Sequence, residues 1–207
     1  MDWSDALPIL FGILAVIGLS LAFRSRKKGG PQKVEELCQH LLGIGVKASH
    51  LEESAGQEKA GWKRSWGQKS VGAIKLTDRN IDSINVIGVA SQSGARYFLD
   101  FLVRSISLTG RENKKKTMMV RRRSAAFSGK VTSIEWKGDD YLVRKLNLDY
   151  RLTDRLLAVD INVLRGGISI YPEPKHGYTR IRTNYFLPTP DLFEAMDIIA
   201  KHIKAGQ

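Results

Sequence analysis

Three features of the sequence predict an α+β protein: a single N-terminal transmembrane helix, then a mainly antiparallel β-sheet domain packed by a C-terminal helix. Residues 7–23 form a run of seventeen without a formal charge, followed directly by Arg24, Arg26, Lys27 and Lys28. From about residue 70, short segments rich in β-branched and aromatic residues alternate with turn formers. At the end of the chain, apolar residues recur at helical spacing behind a Thr-Pro pair.

A helix of seventeen residues is ~26 Å long, just under the ~30 Å of a hydrocarbon core, and Ala6 or slight bilayer thinning closes the gap. Eleven of its residues are Leu, Ile, Phe or Val, worth roughly 3 to 6 kcal/mol of insertion together. Pro8 falls in the first turn, where its missing donor has no helical partner. A cleaved signal peptide carries its positive charges before the apolar run, whereas here Asp2 and Asp5 precede it and the cations follow it. A helix buried in a soluble core seldom needs so long an uninterrupted run. The positive-inside rule therefore places the amino terminus outside and the domain in the cytoplasm, with Trp3 at the outer interface. Gly18 and Ala22, four apart, form a small-xxx-small surface against which another helix can pack.

Gly29, Gly30 and Pro31 break the anchor, and Val34, Leu37, Cys38 and Leu41 then recur at spacings of three and four, opposite Lys33, Glu36 and Gln39. That pattern predicts a short amphipathic helix docked on the following domain, since its polar face is too acidic for a lipid-surface helix. Residues 54–70 read as a linker, in which Trp62 and Trp66 flank Lys63 and Arg64. The chain thus divides into an anchor with a basic cytoplasmic flank (1–28), an amphipathic helix and linker (29–69), and a cytoplasmic α+β domain (70–207).

Within that domain the segments VGAIKL, INVIGVA, RYFLDFLV, TMMVRR, VTSIEW, YLVRKLNL, ISIY and TRIRTNY are expected as strands, several of them paired as hairpins. TRIRTNY alternates, which predicts a solvated face carrying Arg180 and Arg182. A short helix is expected after Asp149 or Thr153, with Leu156, Leu157 and Ile161 inward. The last helix has Thr189 as cap, Pro190 first, Asp191 and Glu194 against the dipole, an apolar face of Leu192, Phe193, Met196, Ile199, Ala200 and Ile203, and Gly206 as its stop.

Chemistry is sparse. His40, His50, His176 and His202 lie far apart, Cys38 is the single cysteine, and no phosphate loop, nucleophile elbow or dinucleotide fingerprint occurs. The sequence therefore predicts no catalytic residue, no metal site and no cofactor. Asp139, Asp140, Asp149 and Asp154 sit where turns and helix starts want them. YPEPKHGY, residues 171–178, reads as a turn.

Charge remains. The chain carries a formal +12, concentrated in residues 24–33, 59–69 and 111–123. Lys114, Lys115 and Lys116 are expected at a hairpin tip and Arg121, Arg122 and Arg123 at the end of the following strand, both triplets contributing to one positive edge. With Arg24, Arg26, Lys27, Lys28, Trp62, Lys63, Arg64 and Trp66, they are the candidate residues for contact with membrane lipid or with a partner in a membrane complex. Nucleic acid ranks lower, because basic runs without a recognition motif bind it only unspecifically. The expected role is that of a non-catalytic accessory or scaffold protein, ahead of a tethered enzyme of unrecognised type or a basic domain holding nucleic acid at the membrane.

Overall fold

The computed structural model describes residues 29–51, 68–91, 94–104, 115–123, 131–159, 164 and 166–206. The segment 7–23, its basic flank, and Gly18 and Ala22 lie outside the described residues, as do Trp62, Lys63, Arg64, Trp66 and Lys114. Among the described residues no helix is long and apolar enough to cross a membrane.

The described part is α+β, with an eight-stranded antiparallel sheet and four helices. Helix α1 covers residues 29–43. Strands β1 (Ala48–Leu51), β2 (Gln68–Leu76), β3 (Ser83–Ser91) and β4 (Gly94–Arg104) form a meander. β5 (Thr117–Arg123) and β6 (Val131–Lys137) form a hairpin, followed by α2 (Asp140–Leu148) and α3 (Tyr150–Ala158). β7 (Ser169–Glu173), a 3-10 turn (Pro174–His176), β8 (Tyr178–Asn184) and α4 (Pro190–Ala205) complete the chain. The strand order is β1-β2-β3-β4-β8-β7-β5-β6, so the β7–β8 hairpin is inserted between β4 and β5.

The core lies on the face covered by the helices. Alternate residues of each strand point there, among them Ile84 and Val86 of β3, Leu99, Phe101 and Val103 of β4, and Ile181 of β8, all fully buried. They meet Leu37 and Leu41 of α1, Leu146 of α2, Leu152 of α3, and Leu192, Phe193, Met196 and Ile199 of α4. Burying each such side chain contributes about 1.5 to 3 kcal/mol.

α1 is the amphipathic helix the spacing predicts, with Val34, Leu37, Cys38 and Leu41 all inward. Burial pushes the Cys38 thiol pKa up, and the nearby Glu35 carboxylate adds to this. The helix lies so close to β2 that a Cβ on Gly30 would stand 2.8 Å from Val71 Cγ1. α4 also follows its signals: Thr189 caps it by accepting from Leu192 N, and Pro190 occupies the first turn. Asp197 then fastens α4 to the β2–β3 loop, accepting from Asn80 N and Asn80 Nδ2 at 2.7 Å each and from Ile81 N at 3.3 Å.

Several expectations are corrected. YLVRKLNL is helix α2, not a strand: Asp139 caps it at Leu142 N, and Leu142, Val143 and Leu146 gather on one face at helical spacing. α3 starts directly after Asp149 as expected and buries Leu156, but Leu157 is exposed, and Ile161 lies outside the described residues. Lys115 and Lys116 are not at a hairpin tip, because β4 pairs with β8 rather than β5. Arg180 and Arg182 do not lie on a solvated face, since each side chain is only 16% exposed. The reason is Asp100, which sits beside them on the face away from the helices.

Candidate membrane-facing and partner-binding surface

Register fixes the height of each residue in the sheet. Asp100, Arg182, Ser169 and Met118 stand in one row across β4, β8, β7 and β5. Three residues further along each strand, Tyr97 and Tyr185 are joined by a backbone hydrogen bond of 2.9 Å, and Arg121 falls at the same height. Lys69 and Gly88 extend that row beyond Tyr97. In the other direction, Lys116 is level with Tyr171 and Arg180. Lys116 and Arg121 are five residues apart, about 17 Å along an extended strand. The two basic groups of residues 111–123 therefore occupy opposite ends of the sheet, on a strand that β6 separates from the open edge.

α1 begins at the Arg121 end. A Cβ on Gly29 would stand 3.2 Å from the Tyr97 hydroxyl. The Tyr185 hydroxyl donates to the Lys33 carbonyl at 2.9 Å and lies 3.0 Å from Glu36 Oε2. Burial, with the Glu36 carboxylate beside it, pushes the Tyr185 pKa well up. Tyr97 meets Tyr185 edge to face at 6.4 Å, and Lys33 Nζ sits 4.6 Å from the Tyr185 ring centre. The first two turns of α1 are thus held by β2, β4 and the end of β8.

The candidate cations differ in what they touch. Arg121 is partly buried, and one guanidinium nitrogen donates to the Leu164 carbonyl at 2.6 Å. Arg122 is exposed and pairs with Glu135 at 3.0 Å, which Lys137 also approaches at 3.7 Å. Lys115 and Lys116 are exposed, and Lys116 Nζ lies 5.0 Å from the centre of the Tyr171 ring.

On the sheet face away from the helices, Arg182 grips Asp100 with two bonds, Nε to Oδ1 at 2.6 Å and a terminal nitrogen to Oδ2 at 2.7 Å. Its third nitrogen donates to Gln68 Oε1 at 3.3 Å. Arg180 adds an approach of 3.6 Å to Asp100 and a bond of 3.1 Å to Glu173. Asp100 itself is fully buried. Burial works against the Arg182 charge, but hydrogen bonds to Asp100 and its negative charge more than compensate, and the Arg182 pKa rises. Tyr178, level with Glu173 on one side and Arg104 on the other, is pushed up to about 12, chiefly by burial. Sequence reasoning passed over Asp100, although one acid within the apolar run RYFLDFLV is the signal that marks it.

His202 on α4 forms a bond of 2.7 Å between Nε2 and Asp149 Oδ2. Asp149 is the single residue between α2 and α3, ending one and capping the other through Leu152 N. Burial raises its pKa, but bonds from His202 and from the Leu152 and Arg151 backbone outweigh this and hold the carboxyl below its ordinary value. Asp149→Ala is expected to lower stability by about 1 to 2 kcal/mol through the lost cap. The charged carboxylate stabilises the fold above the ordinary pKa of 3.8. As pH falls from there through the lower folded-state pKa, that advantage over the variant disappears. Urea titrations of both proteins at neutral pH and in acid check the sign.

A cavity of about 30 Å³ lies nearby, lined by Lys115, Asp139, Tyr141, Thr179, His202 and Ile203 among others. Small-molecule sites occupy about 300 to 1,000 Å³, so this space is too small to enclose a substrate. Among the described residues no group of three or more His, Cys, Asp or Glu could hold a metal ion.

Comparison with protein-family models, curated proteins and solved structures gives no match for the chain.

Proposed function

We propose that the chain is a single-pass, membrane-anchored, non-catalytic accessory or scaffold protein. Residues 1–28 form the anchor and its basic flank, the amino terminus lies outside, and the α+β domain works at the cytoplasmic face. There it binds a partner within a membrane complex and rests against anionic lipid.

The observation that carries this reading is the junction at residue 29. The uncharged run and its cations end at Lys28, and the very next residue is already in α1, whose start is held by Val71, Tyr97 and Tyr185. No spacer separates the basic flank from the folded domain. A domain attached in this way is kept at the bilayer surface, where each nearby Lys or Arg gains ~1 kcal/mol against an anionic leaflet.

The full-length protein is expected to stay with membranes through alkaline carbonate extraction. Protease should reach the domain only from the cytoplasmic side. In mild detergent, a defined protein partner should remain bound through a high-salt wash. Release by carbonate would remove the anchor. Recovery of only lipid or nuclease-sensitive material, lost with salt, would remove the subunit reading.

A further inference from the structure

The strand order gathers exposed cations at the end of the sheet where α1 begins. Lys69 is level with Tyr97, Arg96 is the next residue of β4, and Arg122 follows Arg121, the β5 residue at that height. All three are exposed. Lys69 and Arg96 form no ion pair with another described residue, while Arg122 and Lys137 share the single carboxylate of Glu135. Glu36, beside Tyr185 at this end, is engaged by Lys33 at 3.0 Å. β2 also enters the sheet here at Gln68, directly after the segment that contains Trp62, Lys63, Arg64 and Trp66.

The opposite end has a different balance. There Lys47 is paired with Asp78 and Lys204 with Asp82, and Asp139 and Asp140 stand at the start of α2. Cations and anions are interspersed there: the exposed Lys75, Arg104, Lys115 and Lys116 stand among Asp78, Asp82, Asp139 and Asp140, which lowers the net field.

We propose that the Lys69, Arg96 and Arg122 end of the sheet is a lipid-docking face whose cations meet the phosphate and carboxylate headgroups of an anionic leaflet. The opposite end, Lys115 and Lys116 included, is turned to solution. This deepens the membrane-anchored reading and rests on it, since the anchor leads into the domain at the same end. When Lys69, Arg96 and Arg122 touch headgroups, Lys116 stands about 17 Å further along the strand direction. That exceeds a Debye length of ~10 Å, so the two ends do not share one surface.

The test uses full-length protein reconstituted into vesicles of phosphatidylcholine alone or with phosphatidylserine. In a Cys38→Ala background, an environment-sensitive fluorophore is placed on Ala95→Cys, beside Arg96, or on Thr77→Cys in the loop at the far end. The Ala95 probe is expected to shift to shorter wavelength and brighten in anionic vesicles only, and the Thr77 probe to read the same in both. High salt should reverse the response. Lys69→Gln, Arg96→Gln and Arg122→Gln together should lower the docked-to-undocked ratio on the order of 100-fold. An Ala95 probe indifferent to lipid charge, or a Thr77 probe that responds as strongly, overturns the proposal. Carbonate extraction of the same vesicles reads the anchor separately: a protein that washes off yet shows the Ala95 response keeps the docking face and loses the anchor.

Discussion

Arg182→Met is expected to destabilise the domain by about 3 to 5 kcal/mol, because it leaves the Asp100 charge buried without its principal partner. Asp100 has no exposed side-chain surface, and Arg182 supplies its two short bonds. Arg180 cannot take over: it stands 3.6 Å away and is already committed to Glu173. At about 2 to 4 °C per kcal/mol for a protein of this size, thermal unfolding should fall by roughly 6 to 20 °C. The double variant Asp100→Leu, Arg182→Met should recover most of the loss, since replacing both partners removes the charge as well as its desolvation penalty. If the single variant melts as wild type does, water reaches Asp100 and the pair is a surface contact.

Gly138→Ala should be comparably severe, for a reason that lies in the backbone. Gly138 has φ 142°, and a Cβ there would stand 2.2 Å from the Lys116 carbonyl oxygen and 2.6 Å from Thr117 Cα. Those atoms are main chain and cannot swing aside. A strained φ costs about 1 to 3 kcal/mol, and overpacking adds about 1 to 3 kcal/mol, so a loss of roughly 3 to 5 kcal/mol is expected from the two together. The damage should centre on the start of β5 and the entry to α2, where Asp139 N donates to Thr117 Oγ1 at 3.1 Å. Hydrogen exchange across residues 115–123 and 136–146 would show faster opening there. Unchanged protection would mean that the turn has another conformation to adopt.

Much of the helical architecture was legible because its signals are local. Thr189-Pro190 starts α4 in sequence as in space, and the Val34, Leu37, Cys38, Leu41 stripe needs only a period of 3.6 residues. α2 was misread because Tyr141, Leu142, Val143, Leu146 and Leu148 satisfy a strand as well as a helix. What decides between them is Asp139, whose carboxylate caps Leu142 N, and the β6 and α4 surfaces onto which the helix folds.

The arrangement of charges was less legible, since it depends on pairing across long stretches of chain. Asp100 meets Arg182 through the β4–β8 register, although the two are 82 positions apart in sequence. The two basic groups of residues 111–123 are close in sequence, yet an extended strand carries them to opposite ends of the sheet. Conversely, Lys69, Arg96 and Arg122 belong to three strands and share one end only through the strand order. Composition shows how much charge there is, but register decides which charges act together.

The clamped start of α1 has a mechanical consequence. With Gly30 against Val71 and the Tyr185 hydroxyl on the Lys33 carbonyl, the first turns of α1 have no slack against the sheet. A tilt or twist applied at residue 29 becomes torque on β2, β4 and the end of β8. The first turns of α1 behave as part of the sheet and not as a loose arm, so a force applied at residue 29 is carried by the whole domain.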